Sequence, residues 1–143
     1  MKKQFFFLFV LLTIFAASCR KKISVPDDSL TKIFGKWNWV QSYEPTGGFS
    51  TPASSGNVIY RLYSSKGVFE QYQNKKRNER LNFHFSTSNG SFSNSVFTIV
   101  YQHRALHWSE AHSTEYIKFK GTDTLYLSYT CDTCGYDLYV KDK

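Results

Sequence analysis

The chain has little of what a helical or metal-built protein needs. Among 143 residues there is one methionine, three prolines and three cysteines. No apolar run approaches the roughly 20 residues that a membrane-spanning helix requires, and no heptad pattern appears. The eight glycines never gather into a phosphate-cradling loop. Neither a Ser/His/Asp arrangement in recognisable context nor an H-E-x-x-H motif occurs, so no common hydrolase or metalloprotease signature is present. Acids are scarce as well, 11 against 18 lysines and arginines, for a formal net charge of +7. What the chain has in plenty is aromatic: Phe, Tyr and Trp make up 18% of it.

The longest apolar run, Phe5 to Phe15, follows Lys2 and Lys3 and precedes Ala16-Ala17-Ser18. A basic start, a short apolar stretch and small residues form an export leader, too short to span a bilayer. Ala16-Ala17-Ser18-Cys19 looks like a bacterial lipobox, in which Cys19 becomes the lipidated first residue; an ordinary secretory leader is the alternative. The expected organisation is a signal peptide over 1–18, a lipidated Cys19 and tether over 19–34, and one domain over 35–143. Acyl chains such as palmitate on one cysteine anchor firmly, because each buried CH₂ contributes about 0.8 kcal/mol. Without Lys2 and Lys3 the chain keeps 16 basic residues against 11 acids. The Arg20-Lys21-Lys22 run either meets anionic lipid headgroups or flanks the tether in water. An exported protein has no obvious access to nucleic acid, so no nucleic-acid partner is expected.

The most informative stretch is Gly35-Lys36-Trp37-Asn38-Trp39-Val40. Trp37, Trp39, Gln41 and Tyr43 alternate with Lys36, Asn38, Val40 and Ser42, the period-2 pattern of a strand with one buried face. Two tryptophans on one face carry much apolar area, so this strand seats the core. Ahead of it, Asp28 or Ser29 could cap a short turn through Phe34, with Leu30, Ile33 and Phe34 covering one end of the fold. Behind it, residues Glu44 to Asn57 form a long Gly/Ser/Thr/Pro-rich connection, either a lid or a plain surface loop. Val58 to Tyr63 reads as a strand with Val58, Tyr60 and Leu62 on one face. In Val68 to Asn74, Phe69 and Tyr72 fall out of phase, so a bulge or a two-sided strand is expected. Lys75 to Arg80 reads as a charged hairpin tip. Leu81 to Ser86 alternates with Leu81, Phe83 and Phe85 inward, and Val96 to Tyr101 and Glu115 to Lys120 follow. Thr124 to Tyr129 presents Leu125 and Leu127, and Tyr136 to Lys141 closes the chain with Leu138 and Val140 inward. Serial short strands with local connections predict an all-β, antiparallel up-and-down barrel of about eight strands, which removes its own edges.

These residues carry a resemblance. Gly35-Lys36-Trp37, preceded by a short turn, looks like the G-x-W signature of lipocalin and fatty-acid-binding barrels. More closely, the chain resembles the small lipocalin-like lipoproteins common in Bacteroidetes, which share the lipobox, G-x-W-x-W and a D-x-L-x-L-S hairpin, here Asp123-Thr124-Leu125-Tyr126-Leu127-Ser128. The resemblance covers 35–143 and is structural; the chain is shorter than a typical lipocalin and lacks the long helix after the barrel. It implies that Gly35 and Trp37 sit at the closed end beneath a basic side chain of the last strand, at the position of Lys141. It also implies a small hydrophobic ligand inside the barrel, against candidates Trp39, Tyr43, Phe49, Tyr60, Phe83 and Phe85. The expected address is the outer membrane, facing the periplasm, through the lipid anchor. The mouth is expected at the Tyr43 end, with the 44–57, 75–80 and 87–95 connections around it, suiting an amphipathic molecule with an anionic head. The rival is a filled barrel acting as an envelope structural or interaction module, because Trp37, Trp39, Phe83 and Phe85 could occupy the lumen themselves.

Two clusters remain. Cys131-Asp132-Thr133-Cys134 reads first as a disulfide at a hairpin tip, and otherwise as free thiols, a redox pair or half a zinc site. His103, His107 and His112, with Glu110 between, would share a face only if that segment were helical, and exposed histidines are the plainer reading. No catalytic residue, metal or cofactor is expected.

Overall fold

The structure is a computed structural model, and it describes residues 22–87, 97–103, 111–128 and 135–143. Among the described residues nine strands make one sheet: β1 (Gly35–Glu44), β2 (Gly48–Ser50), β3 (Ile59–Ser64), β4 (Val68–Gln73), β5 (Lys76–Thr87), β6 (Phe97–His103), β7 (Ala111–Lys120), β8 (Thr124–Ser128) and β9 (Tyr136–Lys141). Every pairing is antiparallel. β1, β3 and the strands after it follow one another in order, and β9 returns to β1 through pairs such as Trp37↔Lys141 and Trp39↔Tyr139. Eight strands thus close into an up-and-down barrel, while β2 folds back on the upper part of β1. Among the described residues no helix is long and apolar enough to cross a membrane.

One end is plugged by the chain's own entry. Asp27 caps a 3₁₀ helix, Asp28–Ile33, by accepting from the Ser29 amide at 2.7 Å. The cap lies one residue earlier than Asp28 or Ser29. Leu30 and Ile33 are buried from this helix, and the Trp37 indole donates to the Ile33 carbonyl at 2.6 Å. Above this plug the lumen holds Phe83, Phe85, Ile99, Ile117, Leu125 and Leu127, all buried. The β5 and β8 phases are those the alternation gives, and the misfit in β4 is a register shift between Gln71 and Tyr72.

Six expectations need correction. In β3 the buried positions are Arg61 and Tyr63, while Tyr60 and Leu62 are the partly exposed ones. In β9 it is Tyr139 that is buried, and Val140 is exposed. The 44–57 connection is not featureless: it carries β2 and a single helical turn, Pro52–Ser55, held by a Thr51/Ser54 capping box. The 75–80 hairpin tip shrinks to Asn74 and Lys75, both at positive φ (51° and 69°), and Lys76 onward belongs to β5. β7 also begins at Ala111 rather than Glu115. Strand directions settle the rim: β5 ends and β6 begins at the plugged end, so the 87–95 connection leaves from there and not from the mouth. The mouth instead collects the β1–β3, β4–β5, β6–β7 and β8–β9 connections.

Candidate functional site

The lumen is crossed by an ion pair. Arg61 and Glu115 belong to non-adjacent strands, β3 and β7, yet Arg61 Nη1 donates to Glu115 Oε1 at 3.1 Å and to Oε2 at 2.8 Å. Each has Ile or aromatic neighbours two residues away, so the strand period places both charged side chains among apolar inward positions. Their side chains are only 8% and 9% exposed. The remaining valences are met locally. Arg61 Nε donates to Gln71 Oε1 at 2.8 Å, and the guanidinium lies over Tyr139 at 5.0 Å and Phe69 at 5.5 Å. Tyr101 donates to Glu115 Oε2 at 2.6 Å and lies 2.8 Å, hydroxyl to hydroxyl, from Tyr63.

This packing sets the charge states. Burial opposes the Arg61 cation, but Glu115 and the tyrosine hydroxyls hold it well above the ordinary range. Burial pushes Tyr63 up to about 12, against the pull of Arg61. It raises Tyr101 and Tyr139 well above the usual tyrosine value, with Glu115 adding to the rise at Tyr101. On the mouth side, Trp39 Nε1 donates to Ser42 Oγ at 3.0 Å, and Ser42 donates to Asp137. Burial raises Asp137, although the Ser42 bond and Arg61 work the other way.

The candidate ligand residues are not brought together. Trp39, Phe83 and Phe85 are buried in the lumen. Tyr60 is on the outer wall, stacked on Tyr72 with ring centroids 4.6 Å apart and Lys36 Nζ 4.9 Å from its ring. Tyr43 and Phe49 are outside too, because Ser42 takes the inward position beyond a bulge between Trp39 and Gln41. With Tyr136 and Tyr126 they form a row of rings across β2, β1, β9 and β8, at successive spacings of 5.2, 5.6 and 5.5 Å. Phe49 at its end is 63% exposed. An open depression of about 300 Å³, lined by Lys36, Leu62, Val68 and Glu70 among others, also lies on the outer wall.

At the plugged end Trp37 is fully buried, with Lys141 Nζ 5.3 Å from its ring and donating to the Lys32 carbonyl at 2.7 Å. Gly35 sits beneath at φ +123°, where a Cβ would press on Lys141 Cε at 3.4 Å. Cys19, Cys131, Cys134, His107 and Glu110 lie outside the described residues, as does the side chain of His112. His103 Nε2 lies 2.7 Å from Ser113 Oγ, and among the described residues no group of three His, Cys, Asp or Glu is placed to hold a metal.

No family model matches the chain, and no curated protein or solved structure is significantly similar to it. The fold itself is that of the lipocalin-type barrels. Sequence reasoning passed over Arg61 and Glu115, the residues at the centre of the lumen. The signal that could have found them is a charge on the apolar parity of each strand: Arg61 between Ile59 and Tyr63, and Glu115 two residues before Ile117.

Proposed function

We propose that this chain is a lipid-anchored envelope protein of the small lipocalin-like kind found in Bacteroidetes, and that its barrel is a solid, non-enzymatic module working through its outer surface. The observation that carries this reading is the Arg61–Glu115 pair across the lumen, with Gln71, Tyr101 and Tyr139 packed around it. An acyl tail on the barrel axis would have to break that pair. Separating a buried pair costs about 3–5 kcal/mol, which an apolar ligand cannot recover from the guanidinium it displaces. The row of rings from Phe49 to Tyr126, half-buried except for exposed Phe49, is the surface offered instead, because contiguous aromatic area open to water marks interaction sites.

A second reading, uptake of an amphipathic ligand, has one observation in its favour. Trp39 and Asp137 stand on the mouth side of the ion pair, and a ligand could lodge shallowly against them. Tryptophan fluorescence titrated with fatty acids, lysolipids and bile-type amphiphiles tests both readings. The expected outcome is no saturable quenching. Saturable quenching that Trp39→Phe abolishes would establish the mouth site and overturn the solid module.

A further inference from the structure

The tether does not leave the barrel freely. The Ile23 amide donates to the Ser65 carbonyl at 3.0 Å, in the turn between β3 and β4, and Ile23 and Val25 pack against the core. Gly67 makes that docking possible: its φ is +74°, and a Cβ there would collide with Ile23 Cγ2 and lie 3.0 Å from the Phe83 carbonyl. The chain is therefore fixed to the plugged end of the barrel at Ile23, only four residues after Cys19. Fully extended, four residues reach about 14 Å. The mouth lies beyond the length of β1, roughly 25 Å further once strand tilt is allowed for.

Charge is divided the same way. The plugged end exposes Lys22, Lys32, Lys66, Lys120 and Lys143, against Asp27, Asp28 and Asp123. Lys36 cancels Asp142 at 2.7 Å, and Arg20 and Lys21 come immediately before this end in the sequence. Nearer the mouth acids balance the cations: Arg77 and Arg80 lie 2.9 and 3.5 Å from Glu70, Arg61 is held by Glu115, and exposed Lys75 and Lys76 at the hairpin tip stand against Glu44 and Glu79 on the same half. The lysine surplus thus sits where the tether is fixed, and a charge on a 14 Å leash is within about two Debye lengths of headgroups at physiological salt.

We propose that the plugged end is a membrane-docking face, whose lysines rest on anionic phospholipid headgroups while the mouth and the aromatic row point away from the bilayer. This rests on the lipid anchor at Cys19 and adds the face and the lipid class. It gives the solid barrel one working orientation, with Phe49 and its neighbours presented to partners on the aqueous side.

Depth-dependent quenching tests it. The full-length protein, with Cys131 and Cys134 replaced by serine and a fluorophore on either Thr122→Cys (plugged end) or Ala53→Cys (mouth end), is reconstituted in phosphatidylethanolamine/phosphatidylglycerol vesicles carrying headgroup nitroxide lipids. Quenching at Thr122 should exceed that at Ala53 several-fold, and a joint Lys22, Lys32 and Lys66→Gln change should reduce the difference when phosphatidylglycerol is present. Membrane-bound protein with equal quenching, or stronger quenching at Ala53, overturns the docking face while leaving the anchor intact. Protein that washes off the vesicles overturns the anchor as well. An orientation indifferent to the lysine changes and to phosphatidylglycerol would refute the anionic-headgroup contact.

Discussion

Removing one member of the Arg61–Glu115 pair should be far more damaging than removing both. In Arg61→Met the Glu115 carboxylate keeps the Tyr101 hydroxyl but loses two guanidinium contacts, at 3.1 and 2.8 Å, in a place where its side chain is 9% exposed. Stranding a buried charge in this way costs about 3–5 kcal/mol. That is a large part of the 5–15 kcal/mol that holds a typical domain together. For a domain of this size about 1 kcal/mol moves the melting temperature by roughly 3–5 °C, so a fall on the order of 10–20 °C is expected. Glu115→Leu should do similar damage by stranding the guanidinium. The double variant, Arg61→Met with Glu115→Leu, fills the same volume with apolar atoms and should return to within about 2 kcal/mol of the parent. Urea unfolding followed by circular dichroism on all four proteins closes the cycle. Single variants that each cost under about 1 kcal/mol, the value of a solvent-exposed pair, would refute the reasoning. They would mean that water reaches the pair and that the lumen is open.

Three further predictions concern the rest of the barrel. Trp37→Ala should cost about 3–5 kcal/mol, because it empties a fully buried site and removes the bond to Ile33; a urea midpoint that barely moves would show that the 3₁₀ plug is dispensable. At high pH, Tyr63, Tyr101 and Tyr139 are held protonated by the fold, so the stability they contribute is complete below the ordinary tyrosine value near 10 and is lost as pH rises through their folded values, about 12 for Tyr63. Phenolate absorbance should therefore lag behind that of free tyrosine and then rise together with loss of ellipticity. Asp137 is raised by burial, so its ionisation at neutral pH opposes folding; Asp137→Asn, which still accepts from Ser42, should raise the melting temperature by a few degrees at pH 7 and lose that advantage in acid, measured by calorimetry at both pH values.

Much of the architecture was legible because period-2 alternation and turn chemistry are local. The Trp37/Trp39 face of the first strand, the Leu81–Phe83–Phe85 face and the Leu125/Leu127 hairpin stand where alternation places them, while the bulge after Trp39 turns Tyr43 out of the face expected for it. The short turn before β1 was visible in its capping residues, apart from a shift of one position. Boundaries were less accessible. Nothing in Lys75 to Arg80 marks the turn as two residues long, since lysine does not favour the positive φ that Lys75 adopts. The rim of the mouth depended on counting strand directions correctly. Consecutive connections alternate between the two ends, so the connections after β4 and after β5 cannot share one.

The functional expectation turned on phase. In β3 and the residue before it, Val58, Tyr60 and Leu62 offer the more hydrophobic parity, and hydrophobicity alone sends them inward. The barrel instead takes Arg61 and Tyr63, because Arg61 finds a carboxylate across the lumen and two rings to lie between, a compensation that no single strand reveals. β9 presents the same choice between Leu138/Val140 and Tyr139, and again the larger residue with a cation to meet goes inside. The strand period is two, so a slip of one residue exchanges the whole inward set. With Tyr60, Leu62, Leu138 and Val140 inside, an eight-stranded lumen would be lined by apolar side chains with nothing crossing it, a container for an acyl chain. With Arg61, Tyr63 and Tyr139 inside, against Glu115 and Tyr101, the same lumen is crossed by paired charge and rings. If the barrel is the solid module proposed above, what separates it from a carrier is the parity of two strands, set by contacts between residues 54 positions apart.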